Sequence, residues 1–303
     1  MKKTQILIFA ILFWNSLSVA QNFVEIPLYK ADAKNYSEKI EYDADGNITH
    51  ISGDVNPRLL LFRPDSVNGT AIVVCPGSGY ARMGIGNTRF IAQRLNKMGI
   101  TVFILVHRLP KFMVGNDKSD AVFKDVQTAM YYVRENAAQY GLSKDKIGLW
   151  GSSAGGHLAV MTATHYADNG FAIYDTTSIR PDFVVLAWPL ISFRPGLVHA
   201  GSVKNLLGDS PDDDQIAYYS ADEWVNKNTP VTFLVHASDD NVVPFENSIR
   251  YFNALKNYNI DAELHIYEKG GHNAFGLAPS VPDDQSWLTQ LEIWLKNHEF
   301  CKE

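Results

Sequence analysis

Three segments of this chain carry side chains able to move a proton and attack a carbonyl. Gly151-Ser152-Ser153-Ala154-Gly155 has the form Gly-x-Ser-x-Gly and follows the short apolar run from Lys146 to Trp150. A serine so placed sits on a sharp strand-to-helix turn that lifts its hydroxyl above a sheet, and only small neighbours fit beside it. Gly151, Ala154 and Gly155 are such neighbours, so Ser153 is the candidate nucleophile. A serine hydroxyl needs a base to take its proton and an acid to orient that base. The loop Ala237-Ser238-Asp239-Asp240-Asn241-Val242-Val243-Pro244 offers two acids, and Glu268-Lys269-Gly270-Gly271-His272-Asn273 offers a histidine. Asp240 is assigned as the acid and His272 as the general base, with Asp239 read as a spectator. Each motif alone has a plain structural reading: a glycine-rich turn, a solvated acidic turn before a helix at Phe245, a loop histidine. Their order Ser, Asp, His, each after a successive strand, points to acyl transfer.

Pro76-Gly77-Ser78-Gly79-Tyr80 supplies the remaining part. A glycine-rich loop after an early strand presents backbone N–H groups, and those of Ser78 and Gly79, with that of Ala154, are the expected oxyanion donors. Tyr80 and His107 are the expected substrate-binding side chains at the pocket wall. His157 and His236 are read as packed or supporting residues. The competing reading is a dinucleotide fingerprint, but Arg82 stands where its third glycine belongs and no acid follows some 20 residues on. Neither His-Glu-x-x-His nor a close His or Cys pair occurs, so neither a metal nor any other cofactor is expected.

These loops need a scaffold that brings them to one rim. Ala71 to Cys75, Thr101 to Val106, Lys146 to Trp150, Asp182 to Ala187, Val231 to His236 and Ala262 to Tyr267 are short apolar runs that read as strands. Phe23 to Leu28, Ile48 to Ile51 and Arg58 to Phe62 read as earlier extended pieces. Helices are expected near Asn87 to Lys97, Ser119 to Tyr140, Gly155 to Tyr166, Phe245 to Lys256 and Asp283 to Asn297. Alternation of this kind predicts an α/β fold with a mostly parallel central sheet and helices on both faces. The carboxyl ends of such strands share one edge, where sites in open α/β sheets form. The polar stretch 188–230, rich in turn residues, is expected as an insertion near the active site.

With 303 residues and 46% hydrophobic content, the chain can bury a large core. Its formal charge of −6 and lack of a basic run leave no electrostatic footprint for nucleic acid. Met1-Lys2-Lys3, an apolar run from Ile6 to Trp14 and Ser18-Val19-Ala20 have the three regions of a secretory signal peptide. Cleavage after Ala20 leaves 21–303 as a single domain, secreted or periplasmic. The apolar run is too short to span a bilayer as an anchor. Cys75 and Cys301 are the only cysteines, and no structural disulfide is expected.

Taken together, Pro76 to Tyr80, Arg108-Leu109-Pro110, Gly151 to His157, Asn205-Leu206-Leu207-Gly208, His236 to Pro244 and Tyr267 to His272 resemble the α/β-hydrolases. More narrowly, the chain is similar to the secreted carbohydrate esterases described as acetyl xylan esterase-like. The resemblance covers the chain from about Ile51 onward and implies a nucleophile, acid and base at Ser153, Asp240 and His272. It also implies removal of small acyl groups, acetyl foremost, from plant polysaccharide or oligosaccharide such as xylan. The partner would thus be a small-molecule or carbohydrate ester. Three positions depart from the family: glycine is usual where Ser78 stands, tyrosine where His107 stands, and glycine then phenylalanine where this chain has Asn273-Ala274-Phe275. These changes bear on substrate preference, and a feruloyl or general carboxylesterase, a peptidase, or an inactive binding module on the same fold are the alternatives.

Overall fold

The computed structural model describes residues 23–30, 36–115, 118–167, 177–272 and 286–301. The expected signal peptide at 1–20, the Asn273-Ala274-Phe275 departure and the first residues of the expected last helix lie outside them.

In chain order the elements are β1 (Val24–Pro27), β2 (Ser37–Tyr42), β3 (Ile48–Asp54), β4 (Arg58–Phe62), β5 (Ala71–Cys75), β6 (Met83–Gly84), α1 (Ile85–Lys97) and β7 (Thr101–Val106). Then come α2 (Lys118–Glu135), α3 (Ala137–Tyr140), β8 (Ile147–Ser152), α4 (Ala154–His165), β9 (Phe183–Ala187), α5 (Ala200–Leu207) and α6 (Asp213–Tyr218). The chain continues with β10 (Val231–Ala237), α7 (Glu246–Asn257), β11 (Ala262–Tyr267) and α8 (Trp287–Asn297).

Eight strands form the main sheet in the order β1-β4-β7-β5-β8-β9-β10-β11. From β7 to β11 every pairing is parallel, while β1 and β4 add an antiparallel edge. The central strands β5, β7 and β9 are buried at every residue because helices cover both faces, which is why their sequences are continuous apolar runs. One core packs α2, α4 and α7 against the sheet through residues such as Val126, Leu158 and Tyr251. The other packs α1 and α8 on the opposite face through Ile91, Leu95, Trp287 and Leu291. Among the described residues no helix is long and apolar enough to cross a membrane.

The chain leaves β5 toward β7 on one side, but leaves β8 toward β9 on the other. Between these divergent connections the sheet opens a crevice at its carboxyl edge. The loops after β5 and β8, which hold the glycine-rich segment and Ser153, flank that crevice.

Several expectations change. Ile48 to Ile51 does not enter the main sheet; β3 pairs with β2 and β6 in a separate antiparallel sheet. The predicted helix from Ser119 to Tyr140 is interrupted at Asn136, whose side chain bonds the Tyr132 carbonyl. The 188–230 stretch holds two helices, α5 and α6. The second opens with a capping box in which Asp212 accepts from the Gln215 N–H and the Gln215 side chain accepts from the Asp212 N–H.

One buried ion pair fixes the exit of β7. Asp125 on α2 is fully buried; it accepts the Arg108 backbone N–H at 2.8 Å, the Arg108 guanidinium and the Tyr29 hydroxyl at 2.7 Å. Removing its charge leaves Arg108 facing a desolvated, mispaired partner. Asp125→Asn should therefore cost about 3 kcal/mol of unfolding free energy in urea titrations; a loss within ~0.5 kcal/mol would contradict this role.

Candidate active site

Ser153 lies between β8 and α4 with φ 52° and ψ −126°, a strained conformation for a residue with a Cβ. Its backbone is held on three sides. The Ser153 N–H donates to the Ala187 carbonyl, and the Ser153 carbonyl accepts from the N–H groups of His157 and Leu190. The turn closes only because its neighbours are glycine. A Cβ on Gly151 would lie 2.1 Å from the Gly155 carbonyl oxygen, and one on Gly155 would lie 2.1 Å from the Cys75 carbonyl oxygen.

His272, in the loop after β11, reaches the serine. Its Nε2 is 2.9 Å from Ser153 Oγ and its Nδ1 is 2.7 Å from Asp240 Oδ2. A carboxylate can only accept, so Nδ1 carries the proton and Nε2 is free to accept from the hydroxyl. That arrangement can deprotonate a serine as it attacks a carbonyl.

The Asp240 side chain is wholly buried, which on its own would push its pKa up. Hydrogen bonds from His236, His272 and the N–H groups of Val243 and Val242 outweigh burial and hold it well below the usual carboxylate range. His236, at the end of β10, donates Nε2–H to Asp240 Oδ2 and to the Val243 carbonyl, each at 3.1 Å. Its Nδ1 accepts from Ser248 Oγ at 2.8 Å. The sequence reading of His236 as a supporting residue thus has a definite content: it shares Asp240 Oδ2 with His272.

The three assigned positions come together, but other expectations shift. Asp239 is not idle; its Oδ1 accepts the Gly271 N–H at 2.8 Å, tying the acid loop to the residue before His272. Tyr80 does not face the crevice. It is 2% exposed and donates to His157 Nδ1 at 2.7 Å, because φ 61° at Tyr80 turns the side chain under the loop. His107 is likewise buried, with Nδ1–H donating to the Arg108 carbonyl at 2.7 Å, and burial lowers its pKa. Neither side chain lies where substrate could meet it. His157 is a packed residue, stacked on Phe193 with ring centroids 4.4 Å apart. Burial, partly offset by the bond to the Tyr219 carbonyl, brings its pKa down to about 4.

The loop bearing Ser78 and Gly79 bends through three successive residues of positive φ, at Ser78 (125°), Gly79 (67°) and Tyr80 (61°). Asn205 of α5 donates to the Gly79 carbonyl at 2.8 Å and so fixes one peptide of the loop. α4 opens at Ala154 directly after Ser153, and the loop after β5 comes close on the other side, where a Cβ on Gly77 would lie 2.9 Å from the Ser153 Cβ. Asn205 lies in one of the motifs that carry the family resemblance, but its bond to the loop and the nearness of His199, the residue before α5, were not legible in the sequence.

Residues 61–255 match the BD-FAE family. The chain is 32% identical over 259 residues to an acetylxylan esterase of Xylanibacter ruminicola, covering 84% of this chain and 51% of that protein. It is 30% identical over 244 residues to endo-1,4-beta-xylanase B of Butyrivibrio fibrisolvens, covering 80% of this chain and 38% of that one. The chain therefore spans about half or less of these relatives. Among solved structures, an acetyl ester-xyloside bifunctional hydrolase from Caldicellulosiruptor lactoaceticus superposes with a TM-score of 0.76 at 32% identity, over 92% of this chain and 97% of that one. A Thermogutta terrifontis esterase with propionate bound matches at TM-score 0.68 and 22% identity, over 88% of this chain and 96% of that one, which is a likeness of fold.

The depressed Asp240 pKa has a measurable consequence. Its stabilisation is fully present above the unfolded value near pH 3.9 and is lost as pH falls below that toward the folded-state value. Wild-type stability should drop about 1 kcal/mol more than that of Asp240→Asn between pH 4 and pH 3. Parallel slopes in acid denaturation would contradict the assignment.

Proposed function

The chain belongs to the BD-FAE family, and within its α/β-hydrolase fold we propose a serine esterase that removes small acyl groups, acetyl foremost, from plant polysaccharide or oligosaccharide such as xylan. What carries the reading is the hydrogen-bonded chain from Ser153 through His272 to the buried Asp240 carboxylate. The kinship with an acetylxylan esterase and an acetyl ester-xyloside hydrolase supports the substrate class.

In this mechanism Ser153 Oγ attacks the ester carbonyl while His272 Nε2 takes its proton. Asp240 keeps the proton of His272 on Nδ1 and stabilises the imidazolium that forms. Backbone N–H groups of Ser78, Gly79 and Ala154 bind the oxyanion, each such donor being worth about 3 kcal/mol of barrier. His272 then protonates the departing sugar oxygen, leaving acetyl on Ser153. A water deprotonated by the same imidazole attacks the acyl-enzyme and releases acetate. Every charge that develops is met by a group of the chain itself, and the reaction calls for no cofactor. The signal-peptide pattern of residues 1–20 supports action outside the cytoplasm, where polymeric xylan is met.

Acetate release from acetylated xylan tests the reading, with 4-nitrophenyl acetate and methyl ferulate as comparison substrates. Ser153→Ala should lose roughly 10⁴-fold or more in kcat while its thermal unfolding stays cooperative. Undiminished turnover by the variant would overturn the nucleophile. Wild-type turnover of the aryl ester alone would overturn the carbohydrate assignment.

A further inference from the structure

The residue before α5, His199, stands over the crevice without a part in the machinery described so far. A side chain grown from Gly79 would meet His199 Cε1 at 3.6 Å, so the imidazole lies directly against the loop that carries the proposed oxyanion donors. Its electrostatic partner is His272, and burial together with that neighbour lowers its pKa, which keeps the ring neutral. Its orientation is set from below. The Ser202 N–H donates to Nδ1 at 3.2 Å, capping the start of α5, and Ser202 Oγ lies 2.9 Å from the same nitrogen. A backbone N–H can only donate, so Nδ1 is the acceptor and the single proton resides on Nε2. Among the described residues Nε2–H has no protein partner, and the ring is only half-buried.

We propose that His199 is a substrate-binding residue that donates Nε2–H to a hydroxyl of the sugar carrying the acyl group. The inference rests on the esterase reading above. The leaving alcohol must lie beside His272, which hands it a proton, and His199 is near enough to His272 for the two rings to interact electrostatically. A sugar has free hydroxyls next to the esterified one; an aryl leaving group has none. A partly buried, neutral, fixed donor therefore favours glycosyl esters over simple ones, since an alcohol lacking the hydroxyl leaves the donor unpaired. This also assigns a purpose to the 188–230 insertion: α5 holds the oxyanion loop through Asn205 and reads the substrate through the residue at its cap.

His199→Asn is the discriminating variant. Asparagine still caps α5 by accepting from the Ser202 N–H, but its side chain stops short of the crevice. On acetylated xylo-oligosaccharides kcat/KM should fall roughly tenfold, while on 4-nitrophenyl acetate it should change less than about twofold. His199→Gln, whose longer amide restores a donor, should recover part of the loss on the sugar ester alone. Equal loss on both substrates would make His199 a prop for the loop and overturn the proposal, as would no loss on either. If wild type cleaves only the aryl ester, the carbohydrate reading itself has failed and this inference falls with it; that result is read from wild type alone.

Discussion

A residue with a Cβ held at φ 52° costs on the order of 1–3 kcal/mol and persists only where its surroundings over-determine it. At Ser153 they do. The β8 strand enters from one side and α4 leaves on the other so closely that Gly151 cannot carry a side chain, while the end of β5 presses on α4 so closely that Gly155 cannot either. α4 is buried along its whole length, so it cannot swing away to relax the turn. The rigidity needed to hold the hydroxyl proud of the sheet thus comes from core packing on both sides of the helix. The remaining parts of the site are arranged around that fixed point.

The acid and base are supported in a different way. Asp240 accepts more hydrogen bonds than the base alone requires, two from imidazoles and two from backbone N–H groups of its own loop. A buried carboxylate satisfied to this degree stays ionised and does not turn, so the imidazole bonded to it keeps one tautomer and one direction. Asp239 adds a second tie, from the acid loop to the backbone just before His272. The two loops after β10 and β11 therefore behave as one body set against the elbow. On the far flank, the loop after β5 takes strained dihedrals at two non-glycine positions, and Asn205 from α5 braces it. His157, buried and neutral, joins that loop to the insertion by bonding Tyr80 on one nitrogen and the Tyr219 carbonyl on the other.

Much of this is written in the sequence, for reasons of physics. Strands buried on both faces are largely apolar, and so β5 and β7 are legible to the residue. The order of elbow, acid loop and histidine loop follows from where parallel strands end. By contrast, β2 buries only alternate residues, and those only partly, so its pattern of Ser37 to Tyr42 gives too little contrast to mark a strand. α5 and α6 are short, and their packing is supplied by tertiary contacts, although the Asp212 to Gln215 spacing is a helix-start signal present in the chain. Side-chain direction in loops is harder still. Tyr80 and His107 sit in the expected loops, but backbone dihedrals and burial turn them inward, and residue type alone does not encode that. His199 is the converse case, an unremarked histidine in a polar stretch that the folding of α5 carries to the crevice.

The central claim is that Ser153, activated through His272 and Asp240, is the nucleophile of this chain. Treating the protein with a fluorophosphonate that traps activated serines, then weighing the intact protein and mapping the labelled peptide, tests it most directly. The account predicts one adduct, located on Ser153, formed rapidly by wild type and far more slowly by His272→Ala. An adduct on another serine, or equal labelling of wild type and His272→Ala, would contradict it.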